Sequence, residues 1–297
     1  MQASDQPSKL YYETSSFQRF VGILSVIAAL VASCLTIYWA NSDFLGGLNW
    51  GKDVFNYHPV LMICGMSFGF TSAALSFRLI PAPKLYVKMI HASLHAATVI
   101  CIITGLAAVV TSHNYTNRNA AEIYRPNLYS NHSFVGLSAL VMYFSNFIVG
   151  VMYFLVPMFV PIFSERIKAF ARMNHMFIGV MALLVAMAAI ESGMSELTAK
   201  KDCTYVVSSA DWNPAGRYHQ LSLGCQTANG IAILVLLAAF LAAYVLIGPG
   251  AGTAGSIGKS PRAEETQVIS SSSAPPPLAS AGTGTSGGVE LGGVDHT

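Results

Sequence analysis

Apolar residues in this chain come in long unbroken runs, without the one-sided or alternating patterning of a soluble fold. Six runs lack Asp, Glu, Lys and Arg: residues 20–40, 58–77, 89–111, 130–156, 174–190 and 225–247. A membrane-crossing helix needs about 20 such residues, because each adds about 1.5 Å toward a hydrocarbon core of about 30 Å. The fifth run is near the short limit and is expected to continue past Glu191. Only helices or closed barrels satisfy every backbone polar group in lipid, and these runs do not alternate as barrel strands do. The predicted fold class is therefore all-α, a membrane protein with six transmembrane helices.

The first 16 residues are mixed polar and the first apolar run is too long for a signal-peptide core, so helix 1 is expected to stay in the membrane. The predicted organisation is a cytoplasmic segment over 1–16, a six-helix domain over 17–248 and a tail over 249–297. That tail is rich in Gly, Ser, Ala and Pro and has too little apolar content to fold, so a disordered cytoplasmic tail is expected. Its glycines follow a membrane helix and not a strand, and read as linker.

Placing both termini on one side gives that side ten Lys and Arg against six on the other. The positive-inside rule then puts the termini in the cytoplasm. The bias is sharpest in the short loops carrying Arg78 to Lys88 and Arg166 to Arg172.

Composition agrees with this picture. Charged residues make up 10% of the 297 residues, against about 25% in ordinary soluble domains. Mean hydropathy is +0.52. A net charge of +2 gives no reason to expect nucleic-acid binding. The five cysteines show no CxxC spacing. Cys64 and Cys101 read as packing residues. Cys203, in the outer loop, and Cys225, at the edge of helix 6, lie on a side that is often oxidising, which leaves a disulfide open. Asn114-Tyr115-Thr116 and Asn131-His132-Ser133 fit the glycosylation sequon, the second at a position expected to be inaccessible.

The chemistry is carried by histidines. Five of the eight fall inside the apolar spans: His58, His91, His95, His132 and His175. Polar groups at such positions are costly and commonly functional. His58 and His132 begin helices that run inward, so they share a depth near the outer surface. His91 and His175 begin helices that run outward, so they share a depth near the cytoplasm. Two histidines facing each other at one depth are what bis-imidazole haem ligation requires. Helix rise puts the two levels on the order of 20 Å apart. His91 and His95 are four residues apart on one helix face, and spacing alone does not choose between them. Lys88 precedes His91 by three, as Arg172 precedes His175, and this matched setting favours His91. Basic residues there could pair with haem propionates.

These residues resemble the cytochrome b561 family. Phe55-Asn56-Tyr57-His58-Pro59 is similar to the start of its helix 2, and Lys88-Met89-Ile90-His91 with His95 to its helix 3. Leu128-Tyr129-Ser130-Asn131-His132-Ser133 is similar to its helix 4 motif, and Arg172-Met173-Asn174-His175 to the start of its helix 5. The likeness covers roughly residues 15–247.

It implies a homodimer of six-helix subunits, with helices 2–5 forming a four-helix bundle around two b-type haems. It also implies electron transfer from cytoplasmic ascorbate to monodehydroascorbate or a ferric chelate. By this resemblance His58 and His132 hold the outer haem iron, and His91 and His175 the inner. Arg78 and Lys168 contact the inner haem, Lys84 and Lys88 bind ascorbate, and His113 lies at the acceptor site. Asn127, Leu128, Tyr129, Ser130 and Glu196 lie around the outer haem. Phe134, Asn131 and Lys168 stand where relatives carry Trp, Leu and Arg, and an ammonium does not reproduce the guanidinium fork. Vesicle, lysosomal, vacuolar and plasma membranes all suit the topology.

The competing reading is a zinc or copper transporter using the same histidines. Such a path usually adds Asp, Glu or Cys inside the spans. A flavin-linked reductase would need a further domain, which the 49 residues after Gly248 are too few to supply.

Overall fold

The computed structural model describes residues 14–119, 126–158, 160, 162–201, 203 and 221–248, with the backbone alone described for 115–119. The expected N-terminal segment up to residue 13, the tail from 249, Arg125, Trp212 and Arg217 lie outside the described residues.

Among the described residues, six helices are long and apolar enough to cross a membrane: α1 (Ser16–Ala40), α2 (Val54–Leu79), α3 (Lys84–Asn119), α4 (Asn131–Met158), α5 (Glu165–Lys200) and α6 (Leu223–Ile247). Each of the six runs read from the sequence sits on one of them. The fifth extends well past Glu191, as expected.

The ends follow local chemistry. Ser15 caps α1 by accepting from the Gln18 backbone N–H, and the Gln18 side chain reaches back to complete a capping box. Asn56 steers the chain into α2 by donating from Nδ2 to the carbonyls of Leu45 and Gly47, at 3.0 and 2.7 Å. Ile80 is extended, as the residue before a proline prefers, and Pro81 and Pro83 separate α2 from α3. Ser130 caps α4 and Ser222 caps α6 through their hydroxyls.

Two helices contain π segments, Ile63–Gly69 in α2 and Val151–Leu155 in α4. π-bulges are frequent at functional sites. The first lets α2 approach α3 closely. A Cβ on Gly65 would stand 2.8 Å from Cys101 Cβ, and one on Gly69 would collide with the Thr98 hydroxyl. Small residues at such crossings are what membrane helices use to pack.

α2 packs along α3, α4 along α5, and α1 along α6, while the middle of α2 also meets α1 and α5. The buried core runs through Trp39, Ile63, Leu75, Ile102, Tyr143, Leu183, Met187, Ile231 and Val235. Large apolar side chains such as Ile100, Ile103, Val141 and Ile148 are exposed on α3 and α4. In a lipid solvent such a surface is the favourable one. Several polar side chains are buried among the helices. Ser25 donates across to the Ala238 carbonyl at 2.7 Å, tying α1 to α6. Glu191 on α5 has a buried carboxyl oxygen without a partner.

Cys203 and Cys225 form a disulfide, which pins the segment after α5 to the first turn of α6. Closing a loop of this size constrains the unfolded chain by about 3 kcal/mol. Cys203→Ser is expected to remove that contribution, read as a lower Tm of the purified protein under non-reducing conditions and an unchanged Tm under reduction.

Candidate functional site

Four histidines bring four helices together in two levels. His58 on α2 and His132 on α4 face each other with ring centres 6.0 Å apart. His91 on α3 and His175 on α5 do the same at 6.3 Å.

Backbone carbonyls of the adjacent helix hold the rings. His58 Nδ1 is 3.1 Å from the Gly105 carbonyl on α3, and His91 Nδ1 is 2.8 Å from the Ala73 carbonyl on α2. His132 Nδ1 is 2.8 Å from the Ala189 carbonyl on α5. A carbonyl can only accept, so each Nδ1 carries the proton and donates. Nε2 is then left with a free lone pair. His175 faces the Asn146 carbonyl on α4 without a hydrogen bond of good geometry, and its Nδ1 is buried and unpartnered.

The α4–α5 pair is reciprocal. His132 rests on Gly193, where a Cβ would stand 2.6 Å from the ring, and His175 rests on Gly150, where it would stand 3.0 Å away. Each glycine follows the histidine of its own helix by 18 residues, which is about five turns at 3.6 residues per turn, so both share one helix face. The carbonyl that each ring meets lies four residues before the glycine it rests on.

Gly105 on α3 marks the level of the outer pair. Fourteen residues separate it from His91, placing the two levels about 21 Å apart along the helix.

The two opposed rings at each level suit a metal held between them. Metal–imidazole bonds are about 2 Å long, which puts the centres of two rings sharing one ion about 6–6.5 Å apart. Oriented Nδ1–H groups are the usual second shell of a metal-bound histidine. A b-type haem would take two histidines from the protein, and each level offers two. Among the described residues, no group of three or more His, Cys, Asp or Glu is placed to close around a bare ion.

The level of His91 and His175 opens into a cavity of about 570 Å³. Its walls carry His91, His95 and His175 with Phe70, Phe77, Tyr143, Phe147, Tyr153 and Phe154. Its mouth carries Arg78, Lys84, Lys88, Lys168 and Arg172 against one carboxylate, Glu165. Arg78 is buried in the last turn of α2. Lys168 is paired with Glu165 at 3.0 Å. An apolar pocket with a cationic rim favours a flat, largely apolar group with anionic substituents, or a small anion at the rim.

At the C-terminal end of α3, His113 Nδ1 donates to Asn127 Oδ1 at 3.0 Å, joining α3 to the turn before α4. Leu128 in that turn has φ 54°, a left-handed conformation that a leucine rarely adopts, with the side chain of Tyr129 exposed beside it. Ser130 then caps α4. Glu196 on α5 pairs with Lys200 at 2.6 Å.

Comparison with known proteins identifies the family. The family profile for eukaryotic cytochrome b561 matches residues 57–200. The human lysosomal membrane ascorbate-dependent ferrireductase is 30% identical over 236 residues, 77% of this chain and 89% of the relative. This chain belongs to the cytochrome b561 family. A putative transmembrane ascorbate-dependent reductase of Caenorhabditis elegans is 33% identical over 205 residues, 66% of this chain and 71% of the relative. A plasma membrane ascorbate-dependent reductase of Mus musculus is 33% identical over 181 residues, 59% of this chain and 56% of the relative.

Several residues around these histidines carry no motif in the sequence. Gly150 and Gly193 were findable, because both follow a span histidine by the same whole number of turns. Arg172, which the sequence offers as a basic flank of His175 able to pair with a haem propionate, stands one turn from Lys168 on the cavity wall. Tyr143 and Asn146 carry no local motif and are brought to the cavity by the rotation of α4.

Proposed function

We propose that this chain carries single electrons across its membrane from cytoplasmic ascorbate, through two b haems, to monodehydroascorbate or a ferric chelate on the other side. The observation that carries the reading is the two opposed histidine pairs at two depths of one bundle. The names of the relatives, ascorbate-dependent reductases and ferrireductases, support the donor and the ferric acceptor.

In this reading His58 and His132 hold the outer haem, and His91 and His175 the inner. Held by these two histidine pairs, b haems would supply reversible one-electron chemistry. The remaining work falls to the chain. Carbonyls of Gly105, Ala73 and Ala189 fix the ring orientation and keep Nε2 deprotonated. Gly150 and Gly193 leave room for the rings. The aromatic walls exclude water from the inner cavity.

Arg78 and Lys168 at the rim meet anionic groups of the inner haem. Lys84 and Lys88 draw the ascorbate anion to the mouth and stabilise the negative charge as its hydroxyl proton leaves with the electron. His113, with Asn127, Leu128, Tyr129, Ser130 and Glu196, forms the rim of the outer site where the acceptor docks. Both termini face the cytoplasm, and two such subunits pair.

The direct test is a reduced-minus-oxidised spectrum of the purified protein titrated with ascorbate. Two low-spin b centres per chain are expected, and a protein that takes up no haem when haem is supplied would end this reading. Lys84→Ala with Lys88→Ala is expected to slow reduction by ascorbate on the order of 10-fold, the size of losing ~1.4 kcal/mol of charge stabilisation. Both haem spectra should stay intact. Unchanged stopped-flow kinetics in the double variant would remove the ascorbate site from the cavity mouth.

A further inference from the structure

His95 lines the inner cavity and has no part in either opposed pair. It lies one helical turn outward from His91 on the same face of α3, with ring centres 4.5 Å apart. Unlike the paired histidines, it is held by a side chain. Its Nδ1 is 3.0 Å from the Tyr143 hydroxyl, and that hydroxyl also lies 3.2 Å from the His95 backbone carbonyl. The carbonyl takes the single phenolic proton, so the hydroxyl oxygen accepts from Nδ1–H. One hydroxyl thus holds both the ring and the backbone of one residue.

Tyr143 is 2% exposed, and its ring is fixed in turn. Phe70 on α2 meets it edge-on at 4.9 Å, and Phe147 lies parallel to it at 6.4 Å. Phe70 and Phe147 also touch His95, at 5.5 and 6.5 Å. Four rings from three helices therefore make one packed block. Along α3 the block begins about 6 Å outward of His91 and about 15 Å inward of Gly105, between the two histidine levels.

We propose that Tyr143 positions His95 as the bridge between the two centres, and that neither residue ligates iron. This rests on the two-haem reading above. A single electron moves and no bond is made or broken. Electronic coupling through protein falls steeply with every unpacked gap. A hydroxyl that clamps the imidazole against Phe70 and Phe147 keeps the part of that path next to the inner level in continuous contact.

The experiment uses the purified full chain with both haems bound. Inner and outer haem reduction by ascorbate are followed separately in a stopped-flow spectrometer. Haem content, electron paramagnetic resonance and midpoint potentials are measured beside them. In His95→Leu the inner haem is expected to be reduced at the normal rate and the outer haem about 10-fold more slowly, equal to ~1.4 kcal/mol on the barrier. Tyr143→Phe keeps the ring stack and removes both hydrogen bonds, and should slow the same step about 3-fold, equal to ~0.7 kcal/mol.

Haem content, resonance signals and both potentials should stay unchanged in each variant. Loss of the inner haem in His95→Leu would make His95 a ligand and overturn the proposal. Outer-haem reduction at the normal rate, or slowing explained by a shifted potential, would do the same. If His95→Leu does not accumulate, Tyr143→Phe decides by the same outcomes. Absence of haem from the unsubstituted protein would overturn the bridge together with the reading it rests on.

Discussion

His175→Ala is expected to yield protein with one haem per chain, the outer one, and to bring transmembrane electron transfer to background. Altering even an outer-shell partner of a metal-bound histidine costs about 10–100-fold in affinity or activity, and removing the ligand itself costs more. The remaining centre should be the one held by His58 and His132, because those residues lie on α2 and α4 and share no contact with His175. Its reduction by ascorbate should become slow, since the electron would have to cross the distance between the levels without the inner centre. His132→Ala is the mirror case. It should keep the inner haem and its rapid reduction by ascorbate, and lose delivery to the outer acceptor. Haem content by extraction and the two resolved absorbance bands separate these outcomes. Loss of both haems together from either variant would mean that the pairs are not independent sites.

Gly193→Val should abolish the outer haem with no ligand changed. A Cβ at Gly193 would stand 2.6 Å from His132 Cε1 and 2.8 Å from Nδ1, closer than real side chains approach. His132 cannot retreat without giving up the Ala189 carbonyl at 2.8 Å. Forcing a Cβ and its two methyl groups into such a contact costs about 1–3 kcal/mol or more of packing strain. The cheapest relief is to turn the His132 ring out of line with His58. Gly150→Val is the matched change at the inner level, where the Cβ would stand 3.0 Å from His175 Cε1. It should spare the outer haem and lower the occupancy of the inner one. A helix-packing role alone would lower the thermal stability of both variants without choosing between the haems. Selective loss, outer for Gly193 and inner for Gly150, is the expected result of a haem count on each.

Much of this architecture was legible in the chain because lipid imposes a simple rule. Runs without charge become helices, and α1 to α6 coincide with the six runs. Helix direction then assigns depth, so His58 could be matched with His132 and His91 with His175 before any contact was known. What stayed hidden depends on rotation and close packing. His91 and His95 have the same helical face and the same residue type. In the structure they are told apart by their partners, the Ala73 carbonyl and His175 for His91 and the Tyr143 hydroxyl, 48 positions away in sequence, for His95. The π segment over Ile63–Gly69 shifts the register of α2, and no local motif announces it. Whether Cys203 reaches Cys225 depended on how α5 and α6 end. Lys168 illustrates a further limit. Its type was read as a departure from relatives, but its pairing with Glu165 and the presence of Arg172 one turn later emerge only on the cavity wall.

The central claim is that electrons cross the bilayer through this chain from ascorbate to an outside acceptor. Liposomes containing the purified haem-loaded protein, with ascorbate sealed inside and an impermeant ferric chelate outside, test it most directly. The account predicts that the external ferric chelate is reduced while the b-haem bands report partial reduction, and that His175→Ala liposomes give only the background rate of leakage. Haem bands that become fully reduced by internal ascorbate while the external chelate stays ferric would contradict it.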